Sequence, residues 1–241
     1  MQPEILDLTI TSPPYDNLKD YKGYSFEFEH IVKELYRVTK KGGVIVWVVG
    51  DATTNGNETG TSFKQALFFK ECGFNLHDTM IWYKPNSFNF GSNACYRQSF
   101  EYMFVFSKDK IKTTNLIKDI PTKLKGQIVQ GARKHANGVR DKVPDFVIGD
   151  TKKRDNVWFI NVATRNYDHP AIFPEKLAND HILSWSNIDD LIYDPMMGSG
   201  TVAKMALLNH RKFIGSEISK EYCEEANKRI QSLQIQKHFE I

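Results

Sequence analysis

The stretch "LIYDPMMGSGTVAKMAL", residues 191–207, decides how the chain is organised. Leu191-Ile192-Tyr193 is a short apolar run of strand type. Asp194-Pro195 ends it. Gly198-Ser199-Gly200 is a turn, and Thr201 to Asn209 has the apolar spacing of a helix. Strand, glycine turn and helix in that order form the ligand-binding corner of a parallel α/β unit. Glycine lets the backbone approach a ligand closely, and the first turn of a helix offers unpaired N–H groups.

Gly198-x-Gly200-x-x-Ala203 fits the dinucleotide fingerprint, and Glu217 stands after the next strand, where a ribose-binding carboxylate belongs. NAD, FAD and S-adenosylmethionine all suit such a corner, so the fingerprint alone leaves the ligand open. No Gly-Lys-Ser/Thr follows, which excludes a P-loop.

Working outward, strand and helix signals alternate along most of the chain. Residues 5–10 and 44–49 are continuous apolar runs, as expected of strands covered on both faces. Residues 26–40 have helical spacing, and Lys40-Lys41-Gly42-Gly43 is expected to stop that helix. A second helix is expected over 61–72, closed by Gly73. Strands are expected over 75–83 and 100–106, and helices over 175–185 and 221–233. Lys212 to Gly215 is a further strand. The alternation predicts a doubly wound, mostly parallel α/β sheet. Residues 107–156 are rich in Lys, Gly and Asp, with weak periodicity, and are expected to form an insertion.

The first strand runs into Thr11-Ser12-Pro13-Pro14-Tyr15. Two prolines cannot donate to a sheet ladder, so the chain leaves the sheet as a stiff, extended corner with spare carbonyl oxygens.

Composition sets the limits. Of 241 residues, 41% are hydrophobic and 25% charged, the balance of a globular protein with a full-sized core. No apolar run approaches the ~20 residues of a membrane helix. Met1 to Glu4 lack the basic region of a signal peptide. Cys72, Cys95 and Cys223 are isolated and read as reduced thiols. No metal site is suggested, because the seven histidines are scattered. Net charge is +3, but residues 84–155 hold fifteen Lys and Arg against seven Asp and Glu, a local +8 that leaves −5 elsewhere. A basic middle suits a polyanion.

Taken together, these motifs resemble the β-class amino-methyltransferases of DNA. That family carries a TSPPY or DPPY motif, then a target-recognition region, then an HPAxFP-like motif, then DPxxGSGT. All four blocks occur here in that order, at 11–15, roughly 85–160, 169–174 and 194–201. The resemblance implies a circularly permuted S-adenosylmethionine-dependent fold. Residues 1–84 would be its catalytic half, 85–160 a strand with the basic target-recognition insertion, and 161–241 the cofactor-binding half.

The resemblance also implies roles. Ser12, Pro13, Pro14 and Tyr15 would be catalytic: Ser12 and the Pro13 carbonyl would hold the substrate amine, and Tyr15 would stack on an extruded base. Thr11, His169, Pro170, Phe173, Asp194, Pro195, Gly198, Ser199, Gly200, Thr201, Glu217 and Ile218 would surround S-adenosylmethionine. Arg133, Lys134, Arg140, Lys142, Lys152, Lys153 and Arg154 would contact double-stranded DNA. TSPPY is associated more with cytosine N4 than with adenine N6. The setting implied is the cytoplasm of a bacterium or archaeon, or a phage gene, and a homodimer and a cognate restriction endonuclease are compatible partners.

Two departures stand out. Met196 replaces the family's usual Phe after Asp-Pro. Only Met1 to Glu4 precede the catalytic strand, where members usually have a further strand and helix, so a truncated or inactive DNA-binding relative is the alternative expectation. An RNA or protein amino-methyltransferase is a weaker alternative, because there an Asn-Pro-Pro-Tyr motif follows the cofactor motif. A nicotinamide oxidoreductase is the weakest. C5-cytosine methylation is excluded, since no cysteine follows a proline.

Overall fold

A computed structural model of the chain describes residues 1–14, 26–87, 95–162 and 173–238, with side chains to residue 233. Tyr15, His169 and Pro170 therefore lie outside the described residues. The described chain forms two compact units, Met1–Asn115 with Asn156–Ile241, and Leu116–Asp155.

The larger unit runs β1 (Leu6–Thr11), α1 (Phe28–Val38), β2 (Thr39–Val49), α2 (Thr61–Glu71), β3 (Asn75–Tyr83) and β4 (Phe100–Ser107). It continues with β5 (Val157–Phe159), α3 (Glu175–Trp185), β6 (Leu191–Asp194), α4 (Thr201–Leu208), β7 (Lys212–Gly215) and α5 (Lys220–His238). The seven strands form one sheet in the order β5-β3-β4-β2-β1-β6-β7. Only β4 runs against its neighbours, β2 and β3; the other pairs are parallel. The sheet is thus mostly parallel and doubly wound, as the alternating pattern predicts.

The continuous apolar run in β2 is explained by its two covered faces. Val44, Val46 and Val48 pack with Leu177, Ile182 and Val202 from α3 and α4. Ile45, Trp47 and Val49 pack with Val32, Leu35 and Phe69 from α1 and α2. All six β2 side chains are buried, each worth about 1.5–3 kcal/mol of transfer free energy. The Trp47 indole N–H donates to Gln65 Oε1 at 2.7 Å, which removes the cost of burying it unpaired. Phe69 and Phe106 stack with ring centroids 4.3 Å apart.

One boundary differs from the sequence expectation. The first helix stops at Val38, and Lys40-Lys41-Gly42-Gly43 belong to β2 rather than to a helix end. Thr39 turns extended, and its hydroxyl donates to the Leu35 carbonyl at 2.6 Å, closing the helix early. Lys40 is then free to pair with Asp7 of β1 at 2.7 Å. Lys40 reaches both oxygens of Asp7, and Oδ2 also accepts the N–H of Leu191 at 2.9 Å, which pins the start of β6 beside β1.

The smaller unit is a two-stranded ribbon. Three antiparallel pairs nest inside one another: Lys118–Pro121 with Thr151–Lys153, Ile128–Val129 with Phe146–Val147, and Ala132–Lys134 with Arg140–Lys142. Its residues are almost all exposed, which explains the weak apolar periodicity. No helix is long and apolar enough to cross a membrane among the described residues.

His181 of α3 is a core group. It is fully buried against the Trp158 ring, its Nδ1 accepts the Trp185 indole N–H at 3.2 Å, and its Nε2 lies 3.3 Å from Met103 Sδ. Burial pushes its pKa down to about 3, against a weak upward pull from Asp180. The neutral form is the folded one. Below pH ~6.5 the unfolded chain takes up a proton that the fold refuses, so this contribution is intact above that pH and is lost as pH falls toward 3. Denaturant unfolding should show the native chain losing about 2–3 kcal/mol more than His181→Gln between pH 7 and pH 4.5, at ~1.4 kcal/mol per pH unit. Equal losses would show that His181 does not control acid stability.

Candidate active site

The site follows from strand order. β1 and β6 are parallel neighbours, with Leu8 opposite Ile192 and Thr9 opposite Tyr193. From β1 the chain passes through α1 to β2 on one side, and from β6 through α4 to β7 on the other. Adjacent strands whose connections diverge open a crevice at their carboxyl ends, where ligands bind in such sheets.

Two segments far apart in sequence meet there. The Thr11 hydroxyl, at the end of β1, donates to Asp194 Oδ1 at 2.8 Å across 183 positions. The Met196 N–H reaches the same oxygen at 3.0 Å. Among the described residues no hydrogen bond reaches Asp194 Oδ2. Asp194 is buried, and its pKa is pushed up to about 7. Burial is the main cause, the bonds from Met196 and Thr11 oppose it, and the Glu217 charge adds to it.

The glycine turn is fixed from two sides. Glu217, just beyond β7, accepts the Gly198 N–H and the Ser219 N–H, each at 2.8 Å. Main-chain bonds from Met197 to Ser216 and from Ser216 to Asp194 lock the two strand ends together. Gly200 has φ +79° and sits against Ala226 of α5, which a Cβ would meet at 3.0 Å. Only glycine satisfies both conditions. Thr201 then opens α4. Ile218 is largely exposed beside Glu217.

Sequence reasoning missed the brace behind this turn. Arg229 of α5 donates to the Ser199 carbonyl and to Thr201 Oγ1, each at 3.2 Å. Its other nitrogen bonds Glu175 Oε1 of α3 at 2.6 Å, where Lys204 of α4 also donates at 2.7 Å. Burial opposes ionisation of Glu175, but the bonds from Lys204 and Arg229 outweigh it and hold the carboxyl below its usual range. Nothing at position 229 marks it in the sequence; only the packing of α5 on the turn does.

At the end of β1, Thr11 and Pro13 are buried, and Ser12 and Pro14 are partly exposed. Among the described residues no hydrogen bond reaches the Pro13 and Pro14 carbonyl oxygens. Next to β1, the end of β2 leads to Asp51, whose carboxylate accepts the Ser62 N–H at 2.8 Å and caps α2. Asp51, Phe63, Tyr96, Gln98, Phe100 and Tyr102 line a cavity of about 270 Å³ that the sequence does not announce. Phe173 packs partly buried against the core. Among the described residues no cluster of His, Cys, Asp or Glu could hold a metal ion.

These donors and acceptors discriminate between the candidate ligands. A pyrophosphate at the start of α4 would meet the carboxyl of Asp194, an acid that the dinucleotide fingerprint does not call for. S-adenosylmethionine fits: its ammonium suits Asp194 Oδ2, which no hydrogen bond reaches among the described residues, and its ribose hydroxyls suit Glu217, whose oxygens have acceptor positions beyond the two bonds described.

The brace is testable in the free protein. Arg229→Ala should cost about 1–2 kcal/mol in thermal or denaturant unfolding, because a partly exposed charged hydrogen bond is worth less than a buried one. It should also speed amide exchange at Ser199 to Lys204 more than tenfold, while β2 is unchanged. Equal exchange in both forms would show that Arg229 does not hold the turn.

Comparison with known proteins bears on the family and the fold. The profile of the DNA methylase family matches residues 6–228. The orphan methyltransferase M.BamHII of Bacillus amyloliquefaciens is 54% identical, covering 94% of this chain and 89% of its own. Among solved structures, the cytosine-N4-specific PvuII DNA methyltransferase aligns with TM-score 0.67 at 23% identity, over 95% of this chain and 80% of that one. The TTHA0409 protein of Thermus thermophilus, complexed with S-adenosyl-L-methionine, aligns with TM-score 0.65 at 21% identity, over 96% and 88%. The structural likenesses carry the fold, and the family match carries the membership: this chain belongs to the DNA methylase family.

Proposed function

We propose that the chain is a site-specific DNA amino-methyltransferase that acts on an exocyclic amine of a base turned out of the duplex, at cytosine N4 rather than adenine N6. The observation that carries this reading is the 2.8 Å bond from Thr11 to Asp194, which sets the Ser-Pro-Pro corner beside the glycine turn. S-adenosylmethionine supplies an activated methyl group when bound.

The chain's own residues do the positioning. Residues 161–241 would hold the cofactor: Asp194 would take its ammonium, Glu217 its ribose hydroxyls and Ile218 its adenine, with the backbone at Gly198 to Thr201 beside them. Residues 1–84 hold the substrate. An exocyclic amine is a weak nucleophile, because its lone pair is shared with the ring. Ser12 and the Pro13 carbonyl accept its two N–H groups, in a proline-stiffened chain that needs no reorganisation. The cavity beside Asp51 offers aromatic faces for the extruded base. Residues 85–160 include the DNA reader. The preference for cytosine rests on Ser12 as the first residue of the motif. A cognate endonuclease is left out, since the 54%-identical relative bears the name orphan methyltransferase. DNA as substrate favours a bacterial cytoplasm as the setting.

Incubation with methyl-labelled S-adenosylmethionine and unmethylated plasmid DNA, followed by nucleoside analysis, tests this directly. N4-methylcytosine is expected, and Ser12→Ala should reduce its formation about tenfold to a hundredfold, the rate equivalent of roughly 1.4–2.8 kcal/mol. N6-methyladenine would overturn the choice of base. No labelled nucleoside from a folded protein would point to the inactive DNA-binding relative.

A further inference from the structure

We infer that Lys84, held in place by Glu101, is a specificity-determining residue that donates a hydrogen bond to the ring carbonyl of the extruded cytosine, on the edge away from the reacting amine. The inference rests on the reading above, that the base is cytosine, and adds the group that meets its far side.

Alternation along the strands puts the parts on one face of the sheet. Ile10 of β1, Val48 of β2, Met103 of β4 and Trp82 of β3 all pack into the same core layer. Side chains two positions further on return to the same face. Ser12, Gly50, Glu101 and Lys84 each stand two positions from one of those four, at the edge of the sheet where β1 and β2 end. The register agrees. Val49 lies opposite Tyr102, which brings Gly50 beside Glu101. Tyr83 lies opposite Phe100, and the Lys84 N–H donates to the Ser99 carbonyl at 2.7 Å. Gly50 brings no side chain, so the row is open between Ser12 and Glu101. Gly50 and Glu101 both line the cavity beside Asp51.

The opening has the span of one pyrimidine. Glu101 stands two strands from Ser12, roughly 9.5 Å at about 4.8 Å per strand. A hydrogen bond of about 2.9 Å at each end leaves ~4 Å, close to the distance between the amine and the carbonyl across the ring. With the amine held at Ser12, the carbonyl faces the other end, and a carbonyl oxygen needs a donor there.

Lys84 supplies it. Its Nζ pairs with Glu101 Oε1 and lies 4.7 Å from the centroid of the Trp82 ring. Trp82 is itself fixed, its indole N–H donating to the Ile160 carbonyl at 2.7 Å. The Lys84 and Glu101 side chains are only 17% and 10% exposed. Taking two charges out of water offsets most of what their attraction gains, so stability alone does not account for the pair. Steadied by the carboxylate and the ring, the ammonium has N–H groups beyond its one described hydrogen bond. Adenine has no exocyclic oxygen to offer them.

The test crosses the residue with the atom it meets, in the full chain. The methylated position is mapped on the plasmid and built into a short duplex. The target base is either cytosine or a 2-aminopyridine C-nucleoside, which keeps the amine and lacks the carbonyl. The native chain should lose about tenfold to a hundredfold in kcat/KM on the analogue, the rate equivalent of one charged hydrogen bond. Lys84→Met should lose as much on cytosine, and less than about threefold further on the analogue, because the two changes remove the same bond. Lys84→Met leaves Glu101 unpaired, so Lys84→Met with Glu101→Gln is measured alongside, and both are checked for native cofactor affinity and cooperative unfolding. A merely structural role would give equal losses on the two duplexes. That result, or native-level turnover of the analogue, would overturn the inference, while N4-methylcytosine at the mapped position would leave the enzymatic reading standing. N6-methyladenine there would remove the choice of cytosine and the inference with it.

Discussion

The hydrogen bond from Thr11 to Asp194 is the constraint on which the site depends. It joins the end of the first strand to the end of the sixth, two segments that only the sheet brings together. Burying a carboxyl in this way is costly, and its pKa of about 7 records that cost. In the free protein the cost grows as pH rises from the ordinary carboxylate value of 3.8 toward 7, because the unfolded chain ionises first. A group that destabilises its own fold near neutral pH, with one oxygen unclaimed among the described residues, is placed to receive a cation.

The rest of the crevice is arranged around that carboxyl. Asp7 and Lys40 fix the opposite ends of the same strands, so β1 and β6 stay in register. Glu217 holds the first glycine of the turn by its N–H, and Arg229 holds Ser199 and Thr201 from behind. The turn is clamped between an acid in front and a base behind, each anchored on a different element. Backbone that cannot relax costs nothing to reorganise when a ligand arrives. The Pro13-Pro14 corner after β1 achieves the same stiffness by covalent means.

Much of this was legible in the sequence, for reasons that are local. The apolar run in β2 signals a strand covered on both faces, and Gly198-Ser199-Gly200 after Leu191-Ile192-Tyr193 signals a strand, turn and helix. Glu217 stands where the fingerprint requires an acid. The end of the first helix was missed because Lys and Gly after a helical pattern usually mark its stop, whereas here a threonine ends it and the glycines bend a strand. Arg229 and Asp51 were missed because each acts on residues distant in sequence. The ribbon was missed because a two-stranded arm with both faces in water has no apolar alternation to detect.

A double-mutant cycle on Thr11 and Asp194 tests the central claim most directly. S-adenosylmethionine affinity is measured by calorimetry for Thr11→Val, Asp194→Asn and the double variant, each checked for cooperative unfolding. If the two side chains form one site, the effects are non-additive, with a coupling of about 1–3 kcal/mol, because Thr11 matters only through the carboxyl it orients. If the effects add to within about 0.5 kcal/mol, the ends of the first and sixth strands act independently, and the account of a single shared site is wrong.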